Sequence, residues 1–261
     1  AETLWIDRDV TMGSLQNGFG SQISRFQVVI STPGGPLSIT GGHPRYADHK
    51  HKLGKLKFSP MGLGCYEQNT QIGPWFVAVN ILPTTELVDF CFLRISPSLR
   101  SLDTGSGDWI AYRAGDLIIA IHPLGEKWEH ATIEDQPILK IYGRRCGYLI
   151  HLTRTSPQQL SAYLRERRVE FRPGNETTRV TWRDGDNREL EFQTVPARDF
   201  PGNHRGQAFI DGKPVPFSTA IYNGPYVRLR DKVLEISDGK TGFVIDVSGK
   251  LPVYRPLAQR P

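Results

Sequence analysis

WFVAVNIL, Trp75–Leu82, is apolar at every position except Asn80. A strand with one face in water alternates apolar and polar side chains, so a run this dense predicts a strand covered on both faces. VDFCFLRI, Val88–Ile95, reads the same way, whereas SQISRFQVVIS alternates Ile23, Phe26, Val28 and Ile30 imperfectly with polar residues. Between such runs lie hairpin signals. WIAYRAGDLIIAI turns at Ala114-Gly115-Asp116, and VTWRDGDNRELEF turns around Asp184-Gly185-Asp186-Asn187; Gly and Asn tolerate the positive φ that these turns need. Two further turns are expected at Asp211-Gly212-Lys213 and Ser237-Asp238-Gly239-Lys240.

One segment breaks the period of two. SPQQLSAYLRERRVEF predicts an amphipathic helix from about Ser156 to Arg168, with Ser156 as N-cap, Pro157 at the first helical position and Gln159 completing a capping box. Leu160, Tyr163 and Leu164 share one face, and the opposite face, with Arg165, Glu166 and Arg168, reads as solvated. Strands do not alternate with helices, which excludes a parallel α/β fold, and no repeat of fixed length suggests a propeller or solenoid. The expectation is all-β: one domain over residues 1–261, a large antiparallel β-sandwich or supersandwich with one short helix. PARDFPGNHRG, residues 196–206, is its best loop.

A formal charge of +5 and a pI near 9.1 steer towards acidic partners such as polyuronates, nucleic acid or anionic lipid. No RNA-recognition, helix-turn-helix or zinc-finger signature supports nucleic acid, and no apolar run is long enough for a membrane-spanning helix; a globular, soluble chain is expected. Cys65, Cys91 and Cys146 are odd in number and widely spaced, leaving room for at most one disulfide, and Cys91 within its apolar run reads as an inert buried thiol. Asn175-Glu176-Thr177 satisfies the glycosylation sequon. GxSxG, HExxH and Walker motifs are absent, as is a GxGxxG ahead of a helix.

The densest concentration of reactive side chains is HPRYADHKHKLGKLKF, His43–Phe58. His43, His49 and His51 fit a metal set loosely, but four lysines repel a divalent cation, so neither metal nor other cofactor is assigned. Tyr46 with His43, His49 or His51 would suit β-elimination from a uronate, which needs a base beside the carboxylate and a cation on it. Arg45, Lys50, Lys52, Lys55 and Lys57 would attract carboxylates or sulfates, and this segment, more than the helix, is expected to carry polyanion affinity because no acid follows Asp48. Aromatic rings stack on sugar faces while amides bond hydroxyls. Tyr66, Gln68 and Trp75 in one segment, and Trp109 and Tyr112 in another, are candidate sugar contacts, with a core role as the competing reading.

Read in order, VTMGSLQNGFGSQISRFQVVI, ITGGHPRY, Met61–Gln68, DWIAYRAGDLIIAIHPLG and AFIDGKPVPFSTAIYNGPYVRLRDKVLEISDG make a chain that resembles the C-terminal β-sandwich region of heparinase II/III-type polysaccharide lyases. The resemblance implies a supersandwich, an acidic polysaccharide ligand, a helical toroid partner domain and a secreted or periplasmic location. The matching patterns are strands and turns, none a catalytic signature, and the toroid that supplies much of such a lyase's cleft is not in this sequence. Three functions stay open: an accessory or binding module of an acidic-polysaccharide-active protein, a complete lyase using His and Tyr, and a structural or protein-interaction sandwich without a glycan.

Overall fold

The computed structural model describes residues 2–15, 23–46, 56–59, 62–63, 67–82, 89–105, 107–133, 135–196, 204–215, 220–224, 227–237 and 241–257. The chain runs through β1 (Glu2–Asp7), β2 (Val10–Leu15), β3 (Ile23–Ile30), β4 (Leu37–Tyr46), β5 (Leu56–Ser59), β6 (Gly62–Leu63), β7 (Glu67–Ile72), β8 (Trp75–Ile81) and β9 (Phe90–Ile95). It continues through β10 (Arg100–Leu102), β11 (Ile110–Ala114), β12 (Leu117–Leu124), β13 (Lys127–Ile133), β14 (Gln136–Tyr142) and β15 (Arg145–Thr153) to the helix α1 (Pro157–Glu166). Beyond the helix come β16 (Glu170–Pro173), β17 (Thr178–Arg183), β18 (Glu189–Pro196), β19 (His204–Ile210) and β20 (Lys213–Pro214). The last strands are β21 (Ala220–Gly224), β22 (Val227–Arg230), β23 (Val233–Ser237), β24 (Gly242–Asp246) and β25 (Val253–Pro256).

These strands form a 14-stranded sheet, a 6-stranded sheet in the order β10-β11-β12-β15-β8-β7, and a 5-stranded sheet, β16 to β20. The smaller two are antiparallel throughout. Among the described strands the large sheet departs from the expected pattern once, where β1 runs parallel to β21 and so joins the first strand to the run β21–β25.

The 6-stranded sheet is the middle layer. On β12, Leu117, Ile119 and Ile121 join a core with Val28, Ile39 and Leu93 of the large sheet, while Ile118 and Ala120 join a second core with Val180, Leu190 and Phe192 of the 5-stranded sheet. β8 divides likewise, Phe76 and Ala78 going to one core and Val77 and Val79 to the other. Successive strand residues face opposite sides, so a layer closed on both sides requires the unbroken apolar runs seen in the sequence. The β11–β12 turn has Gly115 at φ 62, and the β19–β20 turn has Asp211 at φ 49 and Gly212 at φ 72, as their residue types demand. Residues 238–240 of the last expected turn lie outside the described residues, although Ser237 and Gly242 pair on either side of it.

The edge of the middle layer is polar yet buried. Glu67, Gln68, Asn69 and Gln71 of β7 are all enclosed, as is Asn80 on its neighbour. Gln71 Nε2 donates to the Met12 carbonyl oxygen of the large sheet (3.1 Å), and Gln68 Oε1 accepts from the Gly206 N–H of the 5-stranded sheet (3.0 Å), so this strand stitches all three layers. At the far end the large sheet carries exposed apolar residues on and beside β24 and β25, with Tyr254 69% exposed. Among the described residues no helix is long and apolar enough to cross a membrane.

Two glycines set how closely strands approach. A Cβ on Gly41 of β4 would lie 1.8 Å from Tyr148 Oη, and one on Gly147 would lie 1.9 Å from the Ala78 carbonyl oxygen. Gly41→Ala is expected to cost about 1–3 kcal/mol by overpacking. Tyr148→Phe removes the atom met first and restores part of that loss, whereas the clash of Gly147→Ala is with main chain and has no such partner. Urea denaturation of the double-mutant cycle checks this; additive effects of Gly41→Ala and Tyr148→Phe would refute the close-approach explanation.

Candidate functional site

α1 carries the chain from the middle sheet to the third. Its Leu160 and Leu164 are buried in the second core. Ser156 and Gln159 do pair, but side chain to side chain: Ser156 Oγ donates to Gln159 Oε1 at 3.0 Å, while the Gln159 N–H bonds the Ser156 carbonyl. The expected capping box is therefore replaced by a related contact. The helix ends at Glu166, short of the expected Arg168, because Arg167 leaves helical geometry at φ −89°, ψ 64°.

That exit places Arg167 at the end of a stack of rings. Trp75 stacks on His151 (centroids 3.7 Å apart, planes at 10°), and His151 lies parallel to Tyr163 at 5.8 Å. The Arg167 guanidinium covers the other ring with its central carbon 3.8 Å from the Tyr163 centroid. His151 Nε2 and Tyr163 Oη are hydrogen-bonded at 2.7 Å. Burial first, and the Arg167 charge second, push His151 down to about 3, so its ring is neutral at pH 7. Arg167 Nη1 donates to the Tyr163 carbonyl (3.3 Å) and to Glu166 Oε2 (3.0 Å).

Arg167 lines a half-open pocket of about 490 Å³ bounded by the end of α1, the β11–β12 region and the β16–β18 sheet. Its walls carry Arg165, Arg167, Arg168 and Arg183 against Asp108, Glu170 and Glu189. Arg165 donates to Ser161 Oγ (2.9 Å) and Arg183 to Asn187 Oδ1 (2.9 Å), both neutral acceptors, while Glu170 is paired with Arg172 at 2.6 Å. His122, also in the wall, is lowered by burial, which Asp108 partly offsets. Trp109 and Trp182 supply indole surface. The sequence signal for this site was RERR at residues 165–168, read as a solvated helix face; what it lacked was the arginine and indole of TWR, residues 181–183, brought opposite by the third sheet.

The residues singled out in the sequence fall elsewhere. β4 and β5 form a ladder in which His43 pairs with Ser59, Pro44 with Phe58, Arg45 with Lys57 and Tyr46 with Leu56. His43 and Tyr46 stand three apart on β4, positions of opposite parity. His49, His51, Lys50, Lys52, Lys55 and Tyr66 lie outside the described residues. Gln68, Trp75, Trp109 and Tyr112 are buried. Trp109 belongs to the second core and Tyr112 to the first, so the pair expected as one sugar platform is split between opposite faces of the middle sheet. Cys91 and Cys146 are buried free thiols, and burial pushes Cys91 far above its usual range; Cys65 is outside the described residues. No group of three or more His, Cys, Asp or Glu among the described residues is arranged to hold a metal.

Comparison with family models, curated proteins and solved structures finds no match to the chain. The likeness to heparinase II/III-type lyases therefore has only its strand-and-turn patterns behind it.

Two buried groups give the fold opposed pH dependences. Glu67 is raised from 4.5 to about 7 by burial, with its Asn69 hydrogen bond opposing; its contribution is full below pH 4.5 and is lost as pH rises to about 7. His151 is lowered from 6.5 to about 3; its contribution is full above pH 6.5 and is lost as pH falls towards 3. Each changes by roughly 1.4 kcal/mol per pH unit within its window, so these two contributions oppose each other where the windows overlap, from pH 4.5 to 6.5. Denaturant titrations across pH should show Glu67→Gln removing only the alkaline decline and His151→Gln only the acid one. An unchanged alkaline limb in Glu67→Gln would contradict the assignment.

Proposed function

We propose that this chain is a binding β-sandwich of an acidic-polysaccharide-active protein, holding its ligand by the β4–β5 hairpin and the lysine-rich segment between those strands. The observation that supports this most is one rung of that ladder: Arg45 is directly opposite Lys57. Like charges opposed across an antiparallel pair are unfavourable, and a bound anion relieves the repulsion. Between the two strands the sequence adds Lys50, Lys52 and Lys55 with only Asp48 as acid, a composition suited to an extended polyanion. The opposite parity of His43 and Tyr46 weighs against their sharing one substrate atom from β4, which favours a binding role over a complete lyase.

Affinity chromatography and calorimetry with heparin, alginate and a non-sulfated polyuronate are the direct tests. Changing Lys50, Lys52, Lys55 and Lys57 to Ala should weaken binding about tenfold or more and flatten its salt dependence, since such attraction is screened over about 10 Å at 0.1 M salt. A folded quadruple variant that binds as tightly as the parent would remove the hairpin as the site. Sustained growth of the ultraviolet absorbance of an unsaturated product would replace the binding role with a lyase, and absence of binding to every polymer would leave the structural sandwich.

A further inference from the structure

The two cysteines among the described residues belong to different layers. Cys91 is on β9 of the large sheet and Cys146 on β15 of the middle sheet, both at 0% exposure in the first core and both free thiols. We infer that they form a disulfide site, closing to a bond that staples the large sheet to the middle sheet when the chain folds in the presence of a disulfide oxidant. This does not rest on the polysaccharide reading.

The path of the chain carries the inference. On β14, Ile141 pairs with Cys91 and Tyr142 with Phe90. The chain then leaves the large sheet and starts β15 of the middle sheet at Arg145, with Gly143 and Arg144 between. Each of those residues is tied to one layer: the Gly143 N–H donates to the Asp89 carbonyl just ahead of β9, and the Leu82 N–H just after β8 donates to the Arg144 carbonyl, both at 2.7 Å. Gly143 has φ 140, and a Cβ on it would lie 3.2 Å from the Arg145 carbonyl oxygen and 3.6 Å from Cys146 Cβ, so the crossing is tight. Side chains alternate along a strand; Cys91, Leu93 and Ile95 on β9 and Cys146, Tyr148 and Ile150 on β15 all enter the first core. The crossing therefore brings the two cysteines into the same gap from opposite walls.

Their surroundings agree. Burial raises Cys91 most, and the next largest influence is the neighbouring Cys146 thiol, through a hydrogen bond and through its charge, with Glu67 adding to it. A disulfide carries no ionisable proton and suits such a site better than either thiolate. The choice of partner also follows, because three cysteines leave one over, and this pairing makes Cys65 the remaining thiol.

Oxidation removes one hydrogen from each thiol and two electrons in all, which a small-molecule disulfide such as oxidised glutathione accepts. One cysteine attacks as thiolate and releases a glutathione thiol; the second then displaces the other glutathione from the mixed disulfide. Neither sulfur is open to solvent in the folded chain, so the exchange takes place before the first core closes. The finished bond restricts the unfolded chain and raises stability.

The test refolds the whole chain from denaturant in a mixture of reduced and oxidised glutathione, and in parallel in dithiothreitol. Thiol titration under denaturing conditions should find all three cysteines free after dithiothreitol and one after glutathione. A non-reducing peptide map should link the peptides of Cys91 and Cys146, and the oxidised chain should unfold at a higher urea concentration than the reduced one. Cys65→Ser should keep that difference and Cys91→Ala should abolish it. If Cys91→Ala does not fold, Cys65→Ser still decides, since its oxidised form should hold no free thiol. Three free thiols after refolding in glutathione, a bond that engages Cys65, glutathione retained on Cys91 or Cys146, or an oxidised chain that unfolds at a lower urea concentration would each overturn the inference.

Discussion

The middle sheet is shut off from water on both faces, and most of the molecule follows from that. A buried strand must satisfy its main-chain groups within its own sheet and fill both surfaces with apolar side chains, which is why β8 and β12 read as unbroken hydrophobic runs. The same closure makes each polar residue in the layer depend on an internal partner. Gln68 and Gln71 reach out of the sheet to the Gly206 N–H and the Met12 carbonyl on either side. His151 gives up its charge and stacks between Trp75 and Tyr163. Gln68, Gln71 and His151 thus tie the middle layer to its neighbours, and at α1 one of these ties ends in an arginine.

Much of this architecture is visible in residue patterns. The dense runs at Trp75–Leu82 and Val88–Ile95 announce doubly covered strands, and Gly115, Asn187, Asp211 and Gly212 adopt the positive φ their types suggest. Pattern fails where the outcome depends on which elements meet. Nothing in the local sequence of Glu2–Asp7 and Ala220–Gly224 reveals that they pair in parallel, because parallel register is decided by the whole path of the chain. Ser156 and Gln159 are placed correctly at a helix start, yet their side chains bond each other, a choice made by rotamers that propensity does not encode. Trp109 and Tyr112 look like a pair in the string DWIAYR, but Trp109 lies just ahead of β11 and packs in the second core while Tyr112 on the strand packs in the first.

The candidate cavity was illegible for a related reason. RERR on a helix is ordinarily a solvated face, and its meaning changes only when β17 sets Trp182 and Arg183 against it, about fifteen residues further on by the chain but across a cavity in space. By contrast, the basic segment from His43 to Phe58 is conspicuous because its charges crowd into one short stretch of the chain.

The two cationic places are built on different physics. At the hairpin, the opposition of Arg45 and Lys57 is imposed by main-chain register; a row of cations along a chain attracts any polyanion through a field that salt screens, and discriminates little between acidic polymers. Arg167 is fixed by a ring stack and a helix end, and faces a cavity whose acidic residues nearly cancel its basic ones. Near-cancellation weakens long-range attraction and makes affinity depend on hydrogen-bond geometry and fit, since surplus charge and missing acceptors are both penalised at short range. The first place is set by residue order along β4 and β5, the second by the closure of the middle layer that holds the ring stack in place.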